Sequence, residues 1–134
     1  MPAKAFFDTN VLIYAVAQND PRSAQAEALL ATGGAISVQV LNEFASVARR
    51  KIRMPWSEVK EALAAIRVLC PSAAPIGIET HESALRIAEK YGYEIYDALI
   101  SASALEAGCA TLYSEDLQHR QILEGRLTVL NPFK

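Results

Sequence analysis

At 134 residues, 51% hydrophobic and 21% charged, the chain suits one compact domain and is too apolar to be disordered by composition. A formal net charge of −2 argues against holding nucleic acid on a broadly basic surface, but not against a local basic patch or bridging metal ions. Two cysteines, Cys70 and Cys109, are too few for a disulfide scaffold and read as reduced, buried thiols.

Residues 4–8 form a short apolar strand that ends at Asp8. Asn10 is a candidate cap for the helix that follows, and its apolar run at 11–17 falls well short of a membrane span. No targeting segment is visible in Met1–Lys4, so a soluble, cytoplasmic protein with no membrane contact is expected. Asp20-Pro21 signals the next helix start; that helix carries Ala24, Ala28 and Leu29 and stops at Gly33-Gly34. A strand at 35–37 precedes a helix over 38–53, where Val40, Leu41, Phe44, Val47, Ala48 and Ile52 recur at helical spacing.

Pro55-Trp56 breaks that helix, and Ser57 caps a second one with Val59, Leu63, Ile66 and Leu69 on one face. The two make a helical hairpin. An extended piece is placed at 76–78, and a helix capped by Thr80 runs through Tyr91 to Gly92. Residues 96–107 are apolar or small nearly all round, which predicts a buried helix ending at Gly108. Strands at 110–113 and 127–130 complete the chain. Strands alternating with helices, without repeats or linkers, predict a single α/β domain over 1–134 with a mainly parallel central sheet flanked by helices.

Ligands of such sheets gather beyond the carboxyl ends of the strands. Asp8 and Asp116 follow two strands, Asp97 opens the buried helix, and Glu43 lies on the flank of the helical stripe centred near Phe44, at ~100° per residue. Each has an ordinary alternative: a dipole partner for Asp97, a cap or turn for Asp116, a solvated flank for Glu43. Together they would surround one pocket. Gathered carboxylates repel and raise one another's pKa, and hard divalent cations, Mg²⁺ or Mn²⁺, relieve that conflict. Such a centre suits hydrolysis of a phosphodiester.

The stretches FFDTNVLIYA, SVQVLNEFASVARRK, EIYDALISASALEAGCATLYSEDLQH and VLNPF, in that order, resemble the PIN domain family, and more narrowly the VapC-type toxins of bacterial and archaeal toxin–antitoxin pairs. The resemblance implies a PIN-like fold and a metal-dependent endoribonuclease. A metal-bound water would cut RNA, with Asp8, Glu43, Asp97 and Asp116 as ligands and orienting bases. It also implies Ser114 as support beside Asp116, Asn10 orienting Asp8 or capping its helix, a homodimer, and a cognate antitoxin. Glu115 is left as a solvated neighbour.

ARRKIR at 48–53 is the one basic cluster. Arg50, seven residues beyond Glu43, falls about two turns along the same flank, where it would meet RNA phosphate. A solvated helix end is the preferred account of Arg50; Arg49 is the second RNA-binding candidate, although it and Arg53 point elsewhere on this geometry, where an antitoxin or dimer contact would use them. Trp56, in an expected loop, is a candidate interface anchor. His81 and His119 lack metal-ligand spacing and read as surface residues. Two rivals remain: a phosphatase with Asp8 as covalent nucleophile, disfavoured by Asn at position 10, and a catalytically inactive PIN-like RNA- or protein-binding module.

Overall fold

Phe6 and Phe7 are wholly buried, and the strand that carries them runs through the middle of the molecule. The computed structural model describes residues 5–17 and 19–134. Its elements are β1 (Ala5–Phe7), α1 (Thr9–Val16), α2 (Ser23–Ala31), β2 (Ala35–Ser37), α3 (Val38–Val47), α4 (Trp56–Leu69), β3 (Ser72–Ala74), α5 (Ile78–Tyr91), α6 (Ile95–Glu106), β4 (Thr111–Tyr113), β5 (Ile122–Leu123) and β6 (Leu127–Leu130). Lys4, the first residue of the expected opening strand, and the leader reading of Met1–Lys4 lie outside the described residues.

The six strands form one sheet in the order β3-β2-β1-β4-β6-β5. Every pairing is parallel except β5 with β6. The chain moves outward from β1 through β2 to β3, then returns to the other side of β1 as β4. That reversal makes the crevice beyond the carboxyl ends of β1 and β4 a topological switch point, the usual place for a ligand in an open α/β sheet. The register sets Phe6 beside Leu112 and Phe7 beside Tyr113, so the residues after both strands emerge together.

Helices cover both faces, which is why the central strands are apolar on both sides. Each residue of α6 from Ala98 to Leu105 is buried, as its all-round apolar pattern requires. Both cysteines are buried and unpaired, and burial pushes both thiols up. Among the described residues no helix is long and apolar enough to cross a membrane.

Several boundaries differ from the sequence expectation. Asp8, not Asn10, is the N-cap of α1. Asp20 accepts the Arg22 backbone N–H at 2.8 Å in a turn, and α2 starts three residues after it. The helix then buries Ala26 and Leu30, while Ala24 and Ala28 face water. Trp56 belongs to the first turn of α4 rather than a loop, and no side chain caps that helix, Ser57 included. Leu69, at its end, is exposed. Residues 76–78 form no strand; the extended piece is β3, whose Ser-Ala-Ala lacks the branched residues that mark strands. Thr80 is the third residue of α5: its hydroxyl accepts the Gly77 N–H at 3.2 Å and donates to Glu106 at 2.7 Å. His119 is partly buried and its Nδ1 accepts the Asn131 N–H at 2.9 Å, so it is structural rather than superficial.

The expected helix over 38–53 is two pieces, α3 followed by a π-helical turn at Ala48–Ile52. Arg53, at φ 63°, closes that turn. Its N–H and that of Met54 both reach the Ala48 carbonyl, the latter at 2.9 Å. A π turn takes more residues than an α turn, so it rotates every later side chain relative to α3.

Gly34 fixes the approach of α2 to the sheet. A Cβ there would lie 2.6 Å from the Phe7 ring and 2.8 Å from the Ala5 carbonyl oxygen. Phe7 is wholly buried and Ala5 is backbone in the central strand, so neither yields easily. Gly34→Ala is expected to cost about 2–3 kcal/mol. A denaturant melt coincident with wild type would contradict this packing.

Candidate functional site

Asp8 is the first residue beyond β1, and its own N–H continues the sheet by bonding the Tyr113 carbonyl at 2.9 Å. This ties Asp8 to the end of β4. Its Oδ1 accepts the Thr9 N–H at 2.6 Å, and its Oδ2 accepts the Ser114 hydroxyl at 2.7 Å and, more weakly, the Asn10 amide at 3.5 Å. The carboxyl is 3% exposed. Burial pushes its pKa up to about 7, against the hydrogen bonds from Ser114 and Thr9, and the charges of Asp116 and Glu43 push the same way as burial.

Ser114 sits at the end of β4 and works in both directions. Its hydroxyl donates to Asp8 and accepts the Asp116 N–H at 3.1 Å. Asn10 completes a second bridge: its amide donates to Asp116 Oδ2 at 3.1 Å, and its carbonyl accepts the Glu115 N–H at 3.3 Å. Thus Asn10 acts between the two strand-end acids rather than as a helix cap.

Glu43 enters from α3, one residue before the buried Phe44. Its Oε1 accepts the Thr9 hydroxyl at 2.7 Å and its Oε2 the Gln39 amide at 3.1 Å. Asp97 lies in the first turn of α6, half-buried. Burial and then the charges of Glu94, Asp116 and Glu43 raise its pKa to about 6. Asp116 and Glu43 therefore press on both Asp8 and Asp97, so each of these two lies within electrostatic reach of the same pair of acids.

The sequence reading missed three contributors. Glu94 is exposed, three residues before Asp97, the spacing at which helical side chains are neighbours. Thr9 and Gln39 hold Glu43. The spacing of Gln39 and Glu43, four residues apart on one helix, carried that signal; Thr9, from another element, carried none.

Two expectations need correction. Glu115 is not a free solvated neighbour: it accepts hydrogen bonds from the Tyr14 hydroxyl and from Arg22, the latter at 3.1 Å. Arg22 also lies over the Tyr14 ring, 3.8 Å from its centre, and pairs with Asp20 at 2.9 Å. This network clamps the loop that carries Asp116. Arg50 bonds Ser46 rather than Glu43, its Nε donating to that hydroxyl at 3.1 Å. Arg49 donates to the Met54 carbonyl at 3.0 Å and lies over the half-exposed Trp56 ring. The π turn places Lys51 instead beside Thr9, Asn10 and Asp116.

The family model of the PIN domain matches residues 5–124, nine-tenths of the chain. The chain belongs to the PIN domain family. The match contains all four acids. Among solved structures, this PIN domain is similar to a toxin–antitoxin complex from Klebsiella pneumoniae (21% identity, TM-score 0.72, covering 96% of this chain and 97% of that one). It is also similar to Mycobacterium tuberculosis VapC20, a sarcin–ricin loop cleaving toxin (22%, TM-score 0.69, 84% and 89%). A third is VapBC2 from Rickettsia felis, bound to a DNA fragment from its promoter (18%, TM-score 0.67, 95% and 98%). At these identities the likeness speaks for the fold. No curated protein matches the chain.

The donors of this PIN domain's crevice are carboxylate oxygens, the set that hard divalent cations take. Among the described residues, no three His, Cys, Asp or Glu side chains stand close enough to hold a metal ion together, so a shared ion would have to draw these acids closer.

The Ser114 hydroxyl is the one side-chain group that lowers Asp8 while touching it directly at normal distance. In metal-free protein, Ser114→Ala is expected to raise the Asp8 midpoint by about one pH unit. Carboxyl-carbon NMR titration reads this; an unchanged midpoint would show that the 2.7 Å bond carries no weight.

Proposed function

We propose that this PIN domain is a divalent-cation-dependent endoribonuclease of the VapC type, the toxin of a toxin–antitoxin pair. What supports the reading is that burial, with the charges of Glu43 and Asp116 added to it, raises Asp8 to about 7 and Asp97 to about 6 beside the switch point. Sites that force carboxylates together at such a place, against their solvation, are functional far more often than structural. The fold likeness to a toxin–antitoxin complex and to an RNA-cleaving toxin supports the same direction.

The four acids would hold Mg²⁺ or Mn²⁺. Such an ion, when bound, supplies positive charge that offsets the carboxylates and the phosphodiester and makes water more acidic. The chain's own part is orientation. Ser114 and the Thr9 N–H fix both oxygens of Asp8, so its free lone pairs have one direction. Asn10 sets Asp116 against Asp8. Thr9 and Gln39 each occupy one oxygen of Glu43 and leave the rest of the carboxylate to receive a proton from the attacking water. Asp97, half-buried in the first turn of α6, would present its carboxylate to the ion.

A homodimer in the cytoplasm, restrained by a cognate antitoxin, belongs to the same proposal. An inhibitor that places a cationic side chain among these acids would satisfy their charge as an ion does. The deciding experiment incubates purified protein with end-labelled RNA in Mg²⁺ or Mn²⁺ and in excess chelator. The reading expects discrete cleavage with metal and none with chelator. Cleavage that survives chelation, or no cleavage of any RNA from the cell of origin, would overturn it.

A further inference from the structure

A cleft of about 340 Å³ is lined by Asp116 and by Thr9 and Asn10, which bond Glu43 and Asp8. Its walls are apolar: Ile13 comes from α1, and Val47 and Ile52 come from α3 and the π turn. Lys51 stands on its lip, exposed and without a carboxylate partner among the described ion pairs. Beyond Ile52 a second hollow of about 530 Å³ continues past Met54 and Pro55, with Arg53 and Glu58 on its sides.

We propose that this cleft is a nucleotide subsite for single-stranded RNA, in which a base flanking the cleaved phosphodiester lies between Ile13, Val47 and Ile52 and its phosphate meets Lys51. The proposal rests on the ribonuclease reading and adds to it where the neighbouring nucleotide goes. Three observations favour RNA as the occupant. The cleft adjoins the acids through Asp116 itself and through Thr9 and Asn10. Tyr14 adds an aromatic ring to the apolar lining, and single-stranded nucleic acid is held by stacking on aromatic side chains together with cations that track the backbone. Its cation is Lys51, set there by the π turn, a feature that recurs at functional sites. Arg50 donates to Ser46 one turn back and does not line the cleft.

The test measures steady-state cleavage of a single-stranded RNA in Mg²⁺ for wild type, Lys51→Ala and Ile52→Ser, with Lys60→Ala as a charge-matched control on exposed α4. Melting temperatures confirm that each variant is folded. Lys51→Ala and Ile52→Ser are expected to raise KM about 10-fold with kcat within about twofold, the loss of a charged hydrogen bond or a base contact. Lys51→Ala should also make the salt dependence of affinity shallower by about 0.7 in log–log slope, the mark of one lost phosphate contact. Lys60→Ala should change neither quantity. A substrate shortened by the nucleotide that fills the cleft should lose the same factor and no longer distinguish the variants from wild type.

If wild type cleaves but KM and salt slope are unchanged in both variants, the subsite is overturned and the ribonuclease reading stands. If the variants cleave normally but escape inhibition by the antitoxin, the cleft takes a protein segment and the proposal is equally overturned. If wild type neither cleaves nor retains the RNA, both readings fall together.

Discussion

Asp8→Asn is expected to abolish RNA cleavage while making the metal-free protein more stable at pH 8. The two effects have one cause. Asp8 is 3% exposed, and its carboxyl is held at about 7 chiefly by burial, so above pH 7 the fold carries a charge that burial opposes. An amide keeps the shape and can still accept the Thr9 N–H and meet Ser114, but brings no charge to bury. Removing groups that merely support a metal ligand costs about 10- to 100-fold, so losing a ligand should cost at least about 100-fold in kcat/KM. The stability gain has an upper bound of about 4 kcal/mol, from the distance between 3.8 and about 7 at 1.36 kcal/mol per unit. Trading stability for a strained site in this way is typical of active sites. A variant that cleaves like wild type would return the chain to the binding-module reading. A variant that melts lower than wild type without metal would contradict the burial argument.

Metal-free wild type is expected to lose stability as pH rises from about 4 to 7, the reverse of an ordinary acid-denaturing protein. The folded chain holds a proton on Asp8 up to about 7, whereas the unfolded chain releases it near 3.8. Between those values the native state binds more protons than the unfolded state, so unfolding free energy falls with pH. The contribution is complete below 3.8 and gone above about 7, for a total of about 4 kcal/mol at most. Asp97 acts with the same sign between 3.8 and about 6, discounted because it is only half-buried. Asp20 and Glu124, lowered by Arg22 and by Lys90 respectively, have the opposite sign but lie in pairs open enough to solvent that water screens them. Added Mg²⁺ or Mn²⁺ should restore the loss, by about 2.7 kcal/mol at 100 times its dissociation constant. It should do so better at pH 8 than at pH 6, since ion and proton compete for the same oxygens. Urea melts across pH, with and without the ion, read this directly. Stability that climbs steadily from pH 4 to 8 without metal would exclude the raised carboxyls.

Much of this site was legible because its parts follow local rules. A short aromatic run stopping at an acid marks β1 and Asp8; a helix apolar all round marks the buried α6 and so the position of Asp97. Parallel neighbours then bring Asp8 and Asp116 together, which needed the strand order but no side-chain detail. What stayed hidden depends on contacts between distant elements. The π turn at Ala48–Ile52 leaves the apolar periodicity intact, so it could not be read from spacing, and Lys51 rather than Arg50 lines the cleft beside Asp116. The Thr9–Glu43 bond joins residues 34 apart, and the Glu115 clamp joins residues about a hundred apart. β3 escaped because Ser-Ala-Ala carries no strand preference, and β5 because it is two residues long and antiparallel at the sheet's edge.

Everything above depends on the four acids forming a single cation centre. Manganese binding, followed by electron paramagnetic resonance at pH 8 in wild type and in Asp8→Asn, Glu43→Gln, Asp97→Asn and Asp116→Asn, tests this most directly. One shared centre predicts that wild type takes up Mn²⁺ and that every one of the four variants binds it at least about 10-fold more weakly. Uptake by wild type that none of the substitutions alters, or no uptake at all, would contradict it.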